Sequence, residues 1–189
     1  MLLNLVYTKV QQTQTMKLKF SLLILVLIPV FLSCSESDDN DQKNSKTNSF
    51  TINGSSYEAN FATKVNYSDH YEIAIATHNT TKAQFTGSLS FFGFLIESET
   101  KEIVPGTYSF TRNTEPDYDK KVHFFNAEAA QNIEFINGTA DVGESNLYVN
   151  MDSGMVTIEK LNAGYRINFD VKFENAPITG SYEGAVTTE

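Results

Sequence analysis

The sequence predicts an all-β domain, an antiparallel sandwich or barrel of about ten short strands. The first observation is the stretch from Tyr165 to Phe173. Tyr165, Ile167, Phe169, Val171 and Phe173 alternate with Arg166, Asn168, Asp170 and Lys172. Strict alternation places one face in a core and the other in water, which defines a half-buried strand. A helix would put Ile167 and Phe169 about 200° apart and could not bury the set on one side. The second observation is a series of turn signals at short intervals, from Asn53-Gly54 through Pro105-Gly106 to Asn162-Ala163-Gly164. The third is the composition: 14 Phe and 9 Tyr supply β-forming apolar bulk, there is no Trp, and helical periodicity is nearly absent.

In chain order, the N-terminal part reads as an address. Met16-Lys17-Leu18-Lys19 is a short basic region and Phe20 to Phe31 a nearly unbroken apolar run. That run suits a signal-peptide core and is short for a membrane span. Residues 1–33 are therefore expected to be a signal peptide, with Met16 the functional start because Met1 to Thr15 fits neither signal nor domain. Cys34, the single cysteine, follows Ser33 directly. Residues 34–48 then form an acidic, flexible tether, since Ser35-Glu36-Ser37-Asp38-Asp39-Asn40-Asp41 and the residues up to Asn48 include no large apolar side chain.

Residues 49–189 are expected to form a single all-β domain. Phe50-Thr51-Ile52, the Asn53-Gly54 turn and Ser55-Ser56-Tyr57 predict a tight hairpin. Strands are expected at Ala62–Tyr67, Tyr71–Thr77 and Gln84–Ile96, the last bulged or bent because Gly87 and Gly93 lie within it. Thr107–Thr111, Lys121–Phe125 and Leu147–Met151 are further strands, and Glu128-Ala129-Ala130-Gln131 is expected to form one helical turn. Met155–Glu159 and Tyr165–Phe173 make the last hairpin, and Ile178–Val186 closes the chain.

These features resemble the small uncharacterised surface lipoproteins of the Bacteroidota. The resemblance rests on Cys34 after the apolar run, the acidic tract behind it, and four recurring turn-and-strand signatures. Those are Asn53-Gly54 with Tyr57, Gly106-Thr107-Tyr108, Ser153-Gly154 before Val156-Thr157-Ile158, and Ile178-Thr179-Gly180-Ser181-Tyr182 with Gly184. Phe31 and Leu32 depart from the usual residues before a lipidated cysteine. The resemblance implies a diacylglyceryl group on Cys34, and it implies that Ser35, Glu36, Ser37, Asp38 and Asp39 act as an export signal to the outer leaflet. It carries no activity.

Charge narrows the partners. The whole chain is at −9, but residues after Ser33 hold 11 basic against 23 acidic side chains, or −12. Such a surface repels phosphate backbones, so nucleic acid is excluded as a partner. The expected partners are the membrane, through the lipid anchor, and a protein, glycan or small molecule.

Catalytic patterns are missing, and no cofactor is implied. His70 and His78 bracket one strand about 26 Å apart and cannot share a zinc ion; His123 has no partner in the sequence. There is no nucleophile elbow, phosphate loop or metalloprotease motif. Glu115, Asp117 and Asp119 form a weak calcium candidate on one loop, neutralised in part by Lys120 and Lys121, and a solvated loop explains them as well. Asp38-Asp39-Asn40-Asp41 lacks the glycine and distal glutamate of a calcium-binding loop. Tyr67, Tyr71, Tyr118 and Tyr148 are candidate aromatic contacts for a glycan, or half-buried packing. The expected protein is a surface-exposed outer-membrane lipoprotein with a non-enzymatic binding or structural role. A lipocalin-like carrier with an apolar cavity is the alternative.

Overall fold

The structure is a computed structural model that describes residues 48–79, 85–141, 147–174 and 176–189. The described residues belong to one compact unit, Lys46–Glu189. The chain opens with β1 (Ser49–Ile52), β2 (Ser55–Glu58), β3 (Phe61–Asn66), β4 (His70–Ala76) and β5 (Gly87–Glu97). The middle holds β6 (Gly106–Phe110), β7 (His123–Phe124), β8 (Asn126–Ile136), β9 (Thr139–Asp141) and β10 (Leu147–Tyr148). It closes with β11 (Met151–Leu161), β12 (Gly164–Phe173), β13 (Ala176–Gly184) and β14 (Val186–Thr188).

These strands form two sheets packed face to face. The first runs β2-β1-β13-β12-β11-β6-β7 and the second β10-β8-β5-β4-β3-β14, with β9 paired to β8. Each sheet ends in free edges, so the fold is a β-sandwich and not a closed barrel. Only β14 on β3 and β7 on β6 pair in parallel among the described strands. The count exceeds the expected ten because β8, part of which was expected as a helical turn, and the three-residue strands β9 and β14 add to it. Alternation cannot register so short a segment.

The two strongest hairpins form where the sequence places them. Asn53 and Gly54 both take positive φ, 48° and 82°, which a two-residue turn of the favoured hand requires. Asn162 and Ala163 link β11 to β12, with Leu161 opposite Gly164. Along β12, Ile167, Phe169, Val171 and Phe173 are all buried, while Asp170 and Lys172 face water. Phe169 stacks on Phe92 of the opposing sheet with ring centroids 4.4 Å apart, and this contact fills the middle of the sandwich.

Large residues are matched to small ones on the neighbouring strand. Phe92 and Phe94 of β5 lie opposite Ala129 and Ala127 of β8. Gly180 of β13 lies between Phe50 and Phe169, and a Cβ there would come within 2.5 Å of Phe50 and 2.6 Å of Phe169. This size pairing corrects one expectation: Glu128-Ala129-Ala130-Gln131 is not a helical turn but part of β8. Its alanines are small because phenylalanines stand opposite them, and helix propensity yields to that packing. Lys121–Phe125 likewise contracts to His123–Phe124, since Lys121 and Val122 belong to a turn closed on Asp119. A register shift falls in the long fifth strand between Leu89 and Phe91, whereas Gly87 and Gly93, on which the expected bulge rested, pair in regular register with Phe135 and Glu128.

Phe169→Ala should destabilise the fold by about 3–5 kcal/mol, from lost transfer energy plus the cavity left between the sheets. Arg166, on the outer face, bridges Glu159 and Glu183 at 2.8 and 2.9 Å. Because these pairs are partly solvated, Arg166→Ala should cost below about 1 kcal/mol. Denaturant titration of the two variants checks this, and comparable losses would contradict the inward orientation of Phe169.

Candidate functional site

Cys34 and the tract Ser35, Glu36, Ser37, Asp38 and Asp39 lie outside the described residues, as does Asp38-Asp39-Asn40-Asp41. The loop carrying Glu115, Asp117 and Asp119 is described, and it folds on itself. Glu115 N–H donates to the Arg112 carbonyl at 2.9 Å, and Tyr118 N–H to the Glu115 carbonyl at 3.2 Å. The Asp119 carboxylate accepts from Lys121 N–H at 3.0 Å, while Asp119 N–H donates to His123 Nδ1 at 2.8 Å. The loop therefore uses Asp119 to close a turn. Among the described residues, no three His, Cys, Asp or Glu side chains are grouped to hold a metal ion, so the three carboxylates are not brought together as a calcium site.

The histidines and tyrosines serve packing. His70 binds Asp69 at 2.7 Å and stacks on Tyr67 at 4.6 Å, and His78 bonds the Thr77 hydroxyl at 3.0 Å. Tyr71 is fully buried. Tyr118 leans over His123, with centroids 5.9 Å apart. Tyr148 donates to Gln131 Oε1 at 3.0 Å and sets its ring against Phe173. None of these rings is a free, flat platform.

Three arrangements that sequence reasoning did not anticipate emerge from the fold. The first is a cleft of about 360 Å³ where the chain twice changes sheet. From β7 in the first sheet it crosses at Phe125 to β8 in the second, and from β10 it returns through Val149 and Asn150 to β11. The end of β6 and the residues after it complete the cleft, so that Phe110, Arg112, Asn113, Phe125, Asn126 and Asn150 line it. Arg112 is one of two arginines in the chain. Arg166 is held between two glutamates, whereas no ion pair among the described residues engages Arg112. Its guanidinium lies 5.9 Å from the centroid of the Phe110 ring, a cation–π placement that leaves the N–H groups available.

The second is a cleft of about 260 Å³ at the start of β4, lined by Tyr71, Ile96, Glu97, Val104, Tyr108 and Lys120. The connection after β5 folds over it. Lys64, itself buried, donates to the Lys101 carbonyl at 2.6 Å, and Tyr108 Oη donates to the Val104 carbonyl at 2.8 Å. Lys101 takes φ of 57°, so the Lys64 bond holds an unfavourable backbone position. Lys120 is tied to Glu99 at 2.6 Å across the rim.

The third is a pair of buried carboxyls on the face of the second sheet opposite the core. Glu128 is directly across from Gly93, and Glu72 reaches over Gly93 from the other side, so that a Cβ on Gly93 would fall 2.7 Å from Glu72 Oε1. The glycine thus makes room for a carboxyl. Tyr67 donates to Glu72 Oε2 at 3.4 Å, while Oε1 of each glutamate has no hydrogen-bond partner among the described residues. Burial pushes Glu72 up to about 7; burial and then the neighbouring Glu72 push Glu128 up to about 8. The only sequence signal was an acid among small and apolar residues in each strand.

Both glutamates keep their protons to a higher pH in the folded chain than in the unfolded one, where they titrate near the ordinary value of 4.5. The unfolded state therefore binds fewer protons above that value, and stability falls as pH rises from about 4.5 to about 8. Glu72→Gln and Glu128→Gln should flatten this slope and stabilise the chain at pH 8 by about 1–3 kcal/mol. Denaturant midpoints measured between pH 5 and 9 on the full chain check it; an unchanged slope in both variants would contradict the burial of the pair. Comparison with known proteins adds no family to this reading: neither the scan against family models nor the searches of curated proteins and of solved structures gave a match.

Proposed function

We propose that the chain is a surface-exposed outer-membrane lipoprotein, anchored through Cys34, whose β-sandwich binds a ligand and performs no catalysis. The observation that carries the binding reading is where the open space lies. The interior is occupied by aromatic rings, Phe92 stacked on Phe169 and Phe94 edge-on to Phe124. The larger of the two clefts described above is at the rim instead, between the two sheet crossings, lined by an arginine, amides and aromatic rings. Clefts of a few hundred Å³ with a few polar groups are the usual form of small-ligand sites. A lipocalin-like carrier needs a barrel with an apolar interior cavity, and two open-edged sheets with a filled core do not favour that reading.

The anchoring rests on the sequence: a basic start, an apolar run, a single cysteine, then acid. More than one acyl chain is needed for lasting attachment, and a lipoprotein carries them at one cysteine. Cys34→Ser should therefore abolish incorporation of a clickable palmitate during growth, because the hydroxyl is too weak a nucleophile to accept the diacylglyceryl group. Label persisting in the variant would end the anchoring proposal. Surface exposure is tested separately by replacing Glu36, Asp38, Asp39 and Asp41 with Ala. The lipid should remain while protease shaving of intact cells no longer removes the domain; equal shaving of parent and variant would reduce the tract to a linker.

A further inference from the structure

We infer that the cleft between the two sheet crossings binds a sugar acid, with Arg112 taking the carboxylate and the surrounding amides taking hydroxyls. The inference deepens the binding proposal and rests on it. Its starting point is the guanidinium in the lining of the cleft. In a chain with 23 acidic residues against 14 basic ones, an arginine at the mouth of a cleft has no carboxylate partner among the described residues. Glu115 donates its N–H to the Arg112 carbonyl and Glu174 its N–H to the Asn150 carbonyl, yet neither forms an ion pair with the guanidinium.

The donor set defines the ligand class. A planar guanidinium with five N–H donors matches a carboxylate through two parallel bonds. Asn113, Asn126 and Asn150 each offer an amide that donates and accepts, which is what a hydroxyl needs. Phe110 and Phe125 supply apolar surface for the C–H faces of a sugar ring. An aliphatic acid would leave the amides unmatched, and a neutral sugar would leave the guanidinium unmatched. The cleft volume of about 360 Å³ accommodates one such ring and leaves it open to solvent, so a chain end or a free monosaccharide could both enter.

Calorimetric titration of the full chain in detergent, with chelator present, distinguishes these cases. The probes are galacturonate, trigalacturonate, galactose and acetate. Galacturonate or its trimer should bind, galactose should bind at least about tenfold more weakly, and acetate should not bind measurably. A trimer preference identifies a polymer as the source, and equal affinity identifies the free acid. Arg112→Gln should weaken galacturonate by about tenfold or more, and Arg112→Lys by less, with melting unchanged because the side chain is exposed. Arg166→Gln, outside the cleft, should bind as the parent does. Equal binding of galactose and galacturonate would overturn the role of Arg112 while leaving a binding domain in place. No binding in any arm, or binding that Arg112→Gln leaves intact, would overturn the inference itself; the anchoring proposal stands or falls on the Cys34 labelling alone.

Discussion

The stack of Phe169 on Phe92 is the contact on which the sandwich depends. It joins the centres of the two sheets at 4.4 Å, and each ring is there only because its neighbours are small. Gly180 clears space beside Phe169 on one side and Phe50 on the other; Ala129 stands opposite Phe92. A core built this way is packed by pairing sizes across strands, not by uniform bulk. Interiors at crystal-like density tolerate little change in volume, so the glycine and the alanines are as constrained as the phenylalanines. Registers follow from the same rule, since a one-residue slip of β8 would set its alternate face against β5.

With the interior closed, open space is displaced to the margins of the sheets. The chain leaves one sheet for the other at Phe125 and again at Val149 and Asn150. Phe125, Val149 and Asn150 at the crossings line the cleft. Arg112 reaches this place from a third segment, directly beyond β6. The cleft is therefore a by-product of topology that specific side chains have furnished. The buried glutamates on the second sheet follow a different logic, in which Gly93 gives up its side chain so that a carboxyl can occupy the face above it.

The fold was legible where alternation ran long. Tyr165–Phe173 declared its strand because nine residues keep one period, and Asn53-Gly54 declared its turn because few residue pairs accept two positive φ angles. A strand of three residues such as Thr139–Asp141 carries no period and left no trace. Glu128-Ala129-Ala130-Gln131 misled because alanine favours helices, while its use here is set by phenylalanines more than thirty residues earlier in the chain. The same distance concealed the cleft. Arg112, Asn126 and Asn150 come from separate connections, and no spacing rule joins them before the strands are paired. The acidic loop at Glu115–Asp119 looked more suggestive in sequence than it is in space, because adjacency along a chain does not make carboxylates converge.

The pairing of the first strand with the next-to-last has a kinetic consequence. Phe50 aligns with Gly180, and the Asn48 side chain bonds the Glu183 backbone, so one ladder of the first sheet, next to its β2 edge, joins segments about 130 residues apart. The second sheet repeats the pattern, with β14 closing on β3. Such long loops must close before their contacts stabilise anything, and topologies dominated by distant pairing fold slowly. Neither sheet can be completed on a partly emerged chain. The domain is thereby kept open until β13 and β14 have been synthesised.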